Sequence, residues 1–256
     1  MDNYEFCARV AADAVRGSGS KVLDYGCGAG EIVGRLRARG VDAYGCDAFY
    51  GGGSYRDAVP PDLIDRYVLA MADGRIPFPD GAFDVVINNQ VLEHVADLDA
   101  VVDEMARVLK PQGTVLSLFP DDTVWREGHC GIPFLHWFPQ GSRLRVAYAT
   151  LLRRAGLGHH TAGKDAARWA ADFCRWLDRW TYYRPAAAID RAFRRRFALL
   201  VPIEEDWLAA RLGPRAALVA WLPRRLRRAA VRRLAGRVFL ARKAAAQLPE
   251  ARRYGA

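Results

Sequence analysis

The first 120 residues alternate short apolar runs with longer segments in which apolar residues recur every three or four positions. Short apolar runs predict buried strands, and the longer periodic segments predict amphipathic helices. The predicted strands are 21–25, 41–46, 67–71, 83–88 and 113–119, and the predicted helices are 4–16, 31–39 and 98–109. Because the two kinds of element alternate, the pattern predicts an α/β fold with a mostly parallel sheet and helices on both faces.

The pattern changes after Pro120. Residues 121–142 predict an aromatic loop, and helical patterns dominate from there to about residue 235. The helix predicted at 165–183 carries tryptophans on one face, and for Trp169 and Trp176 we favour packing in a core over a binding surface. The segment 237–243, which follows a glycine, predicts a short strand.

These patterns divide the chain into three segments. Residues 1–156 are predicted to form the core, 157–235 a helical, basic insertion, and 236–256 a return to the core with the last, antiparallel strand. Two segments are candidates for a sixth strand, 157–161 and 197–203. The alternative is a helical C-terminal appendage that does not return to the sheet.

Charge is distributed unevenly along the chain. Residues 1–142 carry 12 basic and 21 acidic side chains, whereas residues 143–256 carry 26 basic and 8 acidic ones. The basic half could face an anionic surface such as a membrane, a nucleic acid or a phosphorylated substrate. Solvated arginine-rich helix faces are the favoured alternative. Arginines 224 to 243 would surround a single helix, which argues against one amphipathic membrane helix.

The cysteines and the N-terminal residues indicate where in the cell the protein is expected. Five cysteines are scattered without a spacing typical of metal ligands or disulfides, which predicts reduced thiols and no metal. The chain opens without the basic and apolar order of a secretion signal, and no apolar stretch approaches the roughly 20 residues of a membrane span. We therefore expect a cytoplasmic protein, with peripheral association at the inner membrane surface as an alternative.

The clearest chemical motif is the run Val-Leu-Asp-Tyr-Gly-Cys-Gly-Ala-Gly at 22–30. It takes a strand through glycines into a helix, so that the main chain can approach a ligand closely and the helix N-terminus can offer free N–H groups. Asp47 ends the next strand, where a carboxylate can accept hydrogen bonds from ribose hydroxyls. A glycine-rich turn alone would equally suit a dinucleotide.

Four motifs in order resemble the class I S-adenosylmethionine-dependent methyltransferases, in the methyltransferase type 11-like group that includes ubiquinone-pathway enzymes. They are the run at 23–30, Asp47, the run Pro-Phe-Pro-Asp-Gly-Ala-Phe-Asp-Val-Val at 77–86, and Val-Leu-Glu-His-Val at 91–95 leading to Arg-Val-Leu-Lys-Pro-Gln-Gly at 107–113. The resemblance covers roughly residues 20–120. It implies a seven-stranded Rossmann-like methyltransferase sheet and S-adenosylmethionine as cofactor.

The resemblance also implies roles for individual residues. The methionine part of the cofactor would be surrounded by Asp24, Gly26, Gly28 and Gly30. Asp47 would hold the ribose, Asp73 would read the adenine amino group, and Asn89 and Gln90 would face the sulfonium. Turn capping is the alternative for Asp24 and Asp47, and ordinary polar groups at a strand end are the alternative for Asn88 and Asn89.

A hydroxyl acceptor usually needs a base, and histidine has a suitable pKa. His129 and His136 follow the fifth strand, where this fold places acceptor contacts, and are the preferred candidates. His94 is a third, although it belongs to the family's Glu-His turn. Packing among aromatic residues is the alternative for these histidines. The acidic candidates are Glu93, Asp121, Asp122 and Glu127.

The sequence thus predicts an O-methyltransferase that acts on a hydroxyl of a sugar, glycolipid or specialised metabolite. One alternative is methylation of carbon or nitrogen on a membrane-associated or nucleic-acid acceptor. Another is a non-catalytic regulatory partner that binds S-adenosylmethionine. The predicted partners are a small-molecule, glycan or lipid acceptor and, for the basic half, an anionic surface. No obligate nucleic acid is predicted.

Overall fold

The computed structural model of the protein describes residues 1–15, 19–51, 55–161 and 163–245. Seven strands form one sheet in the order β3-β2-β1-β4-β5-β7-β6. The strands are β1 (Lys21–Tyr25), β2 (Asp42–Asp47), β3 (Val68–Ala70), β4 (Phe83–Asn89), β5 (Leu109–Phe119), β6 (Phe197–Pro202) and β7 (Arg237–Lys243). The pairs among β1 to β5 are parallel, and β7 runs antiparallel between β5 and β6. The predicted seven-stranded, mostly parallel sheet is confirmed.

Eight α-helices are described: α1 (Asn3–Ala14), α2 (Glu31–Ala38), α3 (Leu98–Val108), α4 (Arg143–Arg154), α5 (Ala166–Trp180), α6 (Ala186–Arg194), α7 (Glu204–Leu212) and α8 (Arg224–Leu234). Aspartates begin three of them. The side chains of Asp2, Asp97 and Asp165 accept hydrogen bonds from main-chain N–H groups of the first turns of α1, α3 and α5. An aspartate at this position satisfies N–H groups that have no partner within the helix.

The sheet has a separate hydrophobic core on each face. One core packs α3 and α6 against the sheet, through side chains such as Met105 and Phe193. The other packs α1, α2, α7 and α8, and includes Phe6 and Trp207. Strands with cores on both faces are apolar almost throughout, which is why β1, β4 and β5 are recognisable as short apolar runs.

Helices α4 and α5 form a cap with a core of its own. Its buried members include Cys130, Leu135, Ala149 and Trp169. Trp169 is fully buried, and its indole N–H donates to the carbonyl oxygen of His159 at 2.9 Å. The core packing favoured for Trp169 in the sequence is therefore observed, whereas Trp176 lines a cavity as well as packing against this cap core.

The structure differs from the expected segments in its last third. Strand β6 lies within 157–235, so that range is not purely helical and contributes one strand to the sheet. The candidate at 157–161 forms no strand in its described residues. Strand β6 is difficult to recognise because it is an edge strand paired only with β7, and Leu199 and Val201 are 50% and 39% exposed. Among the described residues, no helix is both long and apolar enough to cross a membrane.

Candidate active site

The loop after β1 presents main chain at one end of the sheet. Gly26, Gly28 and Gly30 all adopt positive φ angles, of 71°, 53° and 78°. A Cβ atom on Gly26 would lie 2.5 Å from a methyl carbon of Val91, so this position requires glycine for both conformation and space. Gly30 is the left-handed N-cap of α2. The loop and the free N–H groups of the first turn of α2 therefore suit a carboxylate or another polar ligand group.

Strand β2 ends at Asp47, whose carboxylate supports the glycine loop. One oxygen accepts a hydrogen bond from the N–H of Gly28 at 2.9 Å, and the other accepts one from Phe49 at 2.7 Å. The capping role considered from the sequence is therefore present. Asp47 also lines the cavity described below, and each carboxylate oxygen can accept more than one hydrogen bond. Its role toward a ribose stays a prediction.

Asp24 lies behind the glycine loop and is only 2% exposed. Burial, followed by the charge of Asp47, raises the pKa of Asp24 well above its usual range. A protonated carboxyl group can donate as well as accept a hydrogen bond. A protonated Asp24 adds no second negative charge beside Asp47.

The end of β4 supplies amide side chains. Asn88 points into the core, where its Nδ2 donates to Ser117 Oγ at 2.8 Å. Asn89 and Gln90 line the cavity. Among the described residues, the buried Oδ1 of Asn89 has no hydrogen-bond partner. An acceptor of this kind is costly to leave unpaired, which fits a ligand at this place.

One cavity of about 1040 Å³ collects most of the predicted site residues. Those that line it are Gly26, Gly28, Asp47, Asn89, Gln90, His94 and His129. Those that lie outside its lining are Asp24, Gly30, Asp73 and His136. Asp73 is exposed in the turn after β3, with a φ of 51°.

Two histidines from distant segments meet at the cavity. His94 lies in a short helical turn after β4, and its Nδ1 donates to the carbonyl oxygen of Trp180 at 2.7 Å. His129 lies in the loop after β5, and its Nδ1 donates to Glu127 Oε1 at 2.6 Å. The two Nε2 atoms are 3.1 Å apart.

Glu127 holds the loop that carries His129 through hydrogen bonds. It is fully buried, and it accepts hydrogen bonds from the hydroxyl of Tyr183 at 2.7 Å and from the N–H of Cys130 at 2.7 Å. Burial would raise the pKa of Glu127, but the hydrogen bond and charge of His129, with the other donors, lower it to about 2. Conversely, burial would lower the pKa of His129, but Glu127 outweighs burial and raises it. Glu127 is therefore ionised and fixes the ring of His129.

Glu93 is the third member of the cluster. It is 1% exposed, and neither carboxylate oxygen has a hydrogen-bond partner among the described residues. Burial raises the pKa of Glu93 to about 7, and burial lowers the pKa of the neighbouring His94. One carboxylate oxygen of Glu93 and one ring nitrogen from each of His94 and His129 all lie within 4.8 Å of one another.

His136 has a different environment. Its ring lies 4.4 Å from the ring of Tyr183, and both ring nitrogens are buried without a hydrogen-bond partner in the described parts of the chain. The structure thus brings together His94 and His129 and leaves His136 behind Tyr183. The catalytic roles proposed for the three histidines stay predictions.

Sequence reasoning missed two of the groups that hold this cluster. The sequence connects Glu127 with the site only as an acidic candidate base and Trp180 only through the tryptophan-bearing face of its helix, and it does not single out Tyr183. The Trp180 carbonyl leaves no signal in the sequence, because any residue type has one. The spacing Glu-Gly-His at 127–129 is the only local hint, since it places a carboxylate two residues before a histidine.

Comparison with known proteins indicates the class. Residues 23–117 match a family model described as a methyltransferase domain. The chain is 29% identical over 131 residues to a ubiquinone biosynthesis O-methyltransferase of Bartonella bacilliformis, a match that covers 49% of this chain and 52% of the relative. It is 35% identical over 106 residues to a 27-O-demethylrifamycin SV methyltransferase of Amycolatopsis mediterranei, covering 38% of this chain and 37% of that protein. The chain thus spans about half the length, or less, of the curated relatives it matches.

The solved structures agree on the fold. An S-adenosylmethionine-dependent methyltransferase from Mesorhizobium loti superposes with a TM-score of 0.50 at 15% identity, covering 94% of this chain and all of that one. Over residues 23–117 the chain is thus similar to a methyltransferase domain, as the sequence motifs predicted, and it shares the fold of the Mesorhizobium loti enzyme. S-adenosylmethionine is the cofactor of this class.

Proposed function

We propose that the protein transfers the methyl group of S-adenosylmethionine to a hydroxyl oxygen of a ring-bearing small molecule. One observation carries this proposal. The glycine loop with Asp47 and the two histidines of the cluster, His94 and His129, line the same cavity, and the buried Glu93 lies beside the two histidines. Donor and acceptor groups can therefore meet in one cavity, as an in-line methyl transfer requires.

The donor side fits the cofactor in its polar groups. The main chain around Gly26 and Gly28 suits the methionine portion, and Asp47 suits the ribose. The unpartnered Oδ1 of Asn89 lies at the end of β4, where a positively charged sulfonium would attract it. These residues would hold the cofactor, which would supply the methyl group.

The acceptor side supplies activation. As the oxygen–methyl bond forms, the sulfur–methyl bond breaks and S-adenosylhomocysteine leaves, while the hydroxyl proton is released at the cluster of Glu93, His94 and His129. A sulfonium is already a good leaving group, so alignment, exclusion of water and activation of the hydroxyl are what the protein provides. Activation of oxygen agrees with the names of the relatives, which specify O-methyl transfer.

The cavity lining favours a flat ring. Tyr50, Trp176 and Tyr183 line it together with the two histidines. Aromatic faces stack on planar rings and on the apolar faces of sugars. We place aromatic specialised metabolites first among the predicted acceptors, and sugars and glycolipids are the other classes to be compared with them.

Two measurements test the proposal. Calorimetry should show that S-adenosylhomocysteine binds the wild-type protein and binds Asp47→Ala at least ~10-fold more weakly, which corresponds to about 1.4 kcal/mol. Label from methyl-tritiated S-adenosylmethionine should appear in phenolic acceptors of a pooled extract, and Asp13→Ala, on the outer side of α1, serves as the matched control. Binding of S-adenosylhomocysteine without transfer to any acceptor pool would instead favour a non-catalytic binding partner.

A second candidate function is methylation of an acceptor that is held in a lipid surface. We propose that the segment 211–233 docks on an anionic lipid surface, from which a lipid-like acceptor enters. The segment carries eight arginines and no acidic residue, and its turn exposes Trp221 (78%) and Leu218 (71%) side by side. Arg211, at its start, and Leu234, directly after its end, line the cavity. An exposed tryptophan beside arginines is typical of interfacial binding.

Part of this charge is compensated within the protein. Glu205 forms ion pairs with Arg224, Arg227 and Arg228. Sedimentation with phosphatidylglycerol vesicles, compared with phosphatidylcholine vesicles, should therefore depend on Trp221 and Leu218 as well as on salt. Loss of vesicle binding in Trp221→Ser/Leu218→Ser supports docking. Binding that is unchanged by these substitutions, or that prefers RNA to vesicles, contradicts it.

A further inference from the structure

The tautomers of His94 and His129 are determined by their Nδ1 partners. The carbonyl oxygen of Trp180 can only accept a hydrogen bond, so Nδ1 of His94 carries the hydrogen. Glu127 accepts hydrogen bonds from Cys130 and Tyr183, as an ionised carboxylate does. Such a carboxylate has no proton to donate, so Nδ1 of His129 also carries the hydrogen of their contact. In their neutral forms both histidines therefore present an unprotonated Nε2.

These two Nε2 lone pairs face each other at 3.1 Å. Such an arrangement is repulsive unless a positive charge lies between the lone pairs. Two imidazole nitrogens bound to one metal ion at about 2.0–2.1 Å each would be roughly 2.9–3.4 Å apart, for angles from square to tetrahedral. The observed separation falls in that range.

Glu93 provides an independent indication. Its carboxylate is 1% exposed and has no hydrogen-bond partner among the described residues, although it lies next to both rings. A buried carboxylate without a partner is strongly unfavourable. A cation between the two rings would pair both lone pairs and would attract the Glu93 carboxylate, one oxygen of which lies within 4.8 Å of both ring nitrogens.

We propose that Glu93, His94 and His129 bind one divalent transition-metal ion. Two imidazole nitrogens and one carboxylate are the donor set of catalytic zinc sites and of related iron sites, and they disfavour Mg²⁺ and Ca²⁺. The outer partners also match such a site, because metal-bound histidines usually donate their other N–H to a carboxylate or a carbonyl, as here to Glu127 and Trp180. A divalent ion would balance the charge of Glu127 and that of Glu93, whose proton it would displace on binding.

The position of this site indicates its role, which rests on the proposed function. His94 and His129 line the cavity that also contains the glycine loop. Three protein ligands leave a coordination position for an acceptor oxygen, and a hydroxyl bound to such an ion is more acidic. The metal would thus be the means by which the cluster activates the acceptor.

The test measures metal binding without cofactor or acceptor. Protein stripped with a chelator and dialysed is titrated with Co²⁺ and with Zn²⁺, using the visible absorption of bound Co²⁺, calorimetry and elemental analysis. We expect one ion per chain in the wild type. Glu93→Gln, His94→Gln and His129→Gln should each bind more than ~100-fold more weakly, and Glu127→Gln about 10–100-fold more weakly. His160→Gln, a substitution of an exposed histidine outside the cavity, should bind like the wild type.

Folding is controlled in the same experiment. Zn²⁺ should raise the melting temperature of the wild type and of His160→Gln, because a ligand that binds only the native state stabilises it, and should have no such effect on the ligand variants. Each variant is first shown to melt cooperatively and to bind S-adenosylhomocysteine, since the donor side is separate from the cluster.

Several outcomes would overturn the inference. They are a wild-type protein that binds neither Co²⁺ nor Zn²⁺, and metal binding that all three ligand variants retain. In the first case the histidine pair shares a proton instead of a metal. Methyl transfer by metal-free protein would refute the role of the metal in activating the acceptor and leave the proposed function intact. Metal binding without transfer to any acceptor would leave the metal site intact and refute the proposed function.

Discussion

The two sides of the cavity are built in different ways. The donor side consists of main chain and short side chains at the ends of β1, β2 and β4, which are neighbours in the sheet. The acceptor side consists of side chains from the turn after β4, the loop after β5 and the end of α5, which only the cap brings together. The donor side is therefore a property of the parallel sheet, whereas the acceptor side is a property of how the cap packs on it.

The largest effect is expected where the donor side is most constrained. Gly26→Ala introduces a Cβ beside Val91 at a positive φ, so the loop must move. We expect S-adenosylhomocysteine binding to be lost in calorimetry and the protein to be destabilised by about 1–3 kcal/mol in denaturant unfolding.

Gly81→Ala is the matched control for this substitution. Gly81 also has a positive φ, of 63°, but a Cβ there would meet nothing within 4 Å. It should cost about 1 kcal/mol of stability and leave cofactor binding unchanged. If Gly26→Ala binds S-adenosylhomocysteine as tightly as Gly81→Ala does, the close approach of the loop is not what forms the donor side.

An intermediate effect is expected on the acceptor side alone. Glu127→Gln removes the charge that orients His129, and we expect kcat to fall about 10–100-fold while S-adenosylhomocysteine affinity is unchanged. Steady-state kinetics with an identified acceptor separates kcat from KM, and calorimetry measures the donor side.

Glu205→Gln is a suitable comparison, because Glu205 lies outside the cavity lining and pairs with arginines of α8. It should leave kcat unchanged. Equal losses of cofactor binding and kcat in Glu127→Gln would show that the two sides of the cavity are not independent.

The smallest effect distinguishes the cap core from the cavity wall. Trp169→Phe shrinks a fully buried side chain and removes its hydrogen bond to His159, so we expect a stability loss of about 1–3 kcal/mol with little change in KM. Trp176→Phe alters a cavity-lining side chain and should change the KM for the acceptor a few-fold with a smaller effect on stability. Thermal unfolding and acceptor kinetics on both variants check this, and a reversed pattern would contradict the assignment of the two tryptophans.

Much of the fold was predictable because burial on both faces leaves a strong pattern. Strands β1, β4 and β5 are short apolar runs, and the strand predicted at 237–243 is β7 with the same bounds. The predicted helix at 98–109 ends one residue earlier, because β5 begins at Leu109 and includes the Lys-Pro-Gln-Gly turn through an irregularity in its pairing with β4. Strand β6 was ambiguous because an edge strand with exposed apolar side chains lacks that pattern.

The candidate site divides in the same way. Gly26, Gly28, Asp47, Asn89 and Gln90 were predicted from motifs and do line the cavity. Among the histidines, the sequence favoured His129 and His136, and the structure pairs His129 with His94 instead. The sequence could not show which two histidines lie together, because the groups that contact each ring come from other segments of the chain.

The sequence by itself determined the parallel strands of the sheet, the glycine loop and the similarity to methyltransferase domains. Those features depend on local conformation and on the period of apolar residues, both of which are written in consecutive residues. Only the tertiary structure decided that Glu93, His94 and His129 form one cluster with Glu127 and Trp180 behind it. The physical reason is that a cluster of side chains depends on how the cap packs against the sheet, and on a main-chain carbonyl that no residue type reveals.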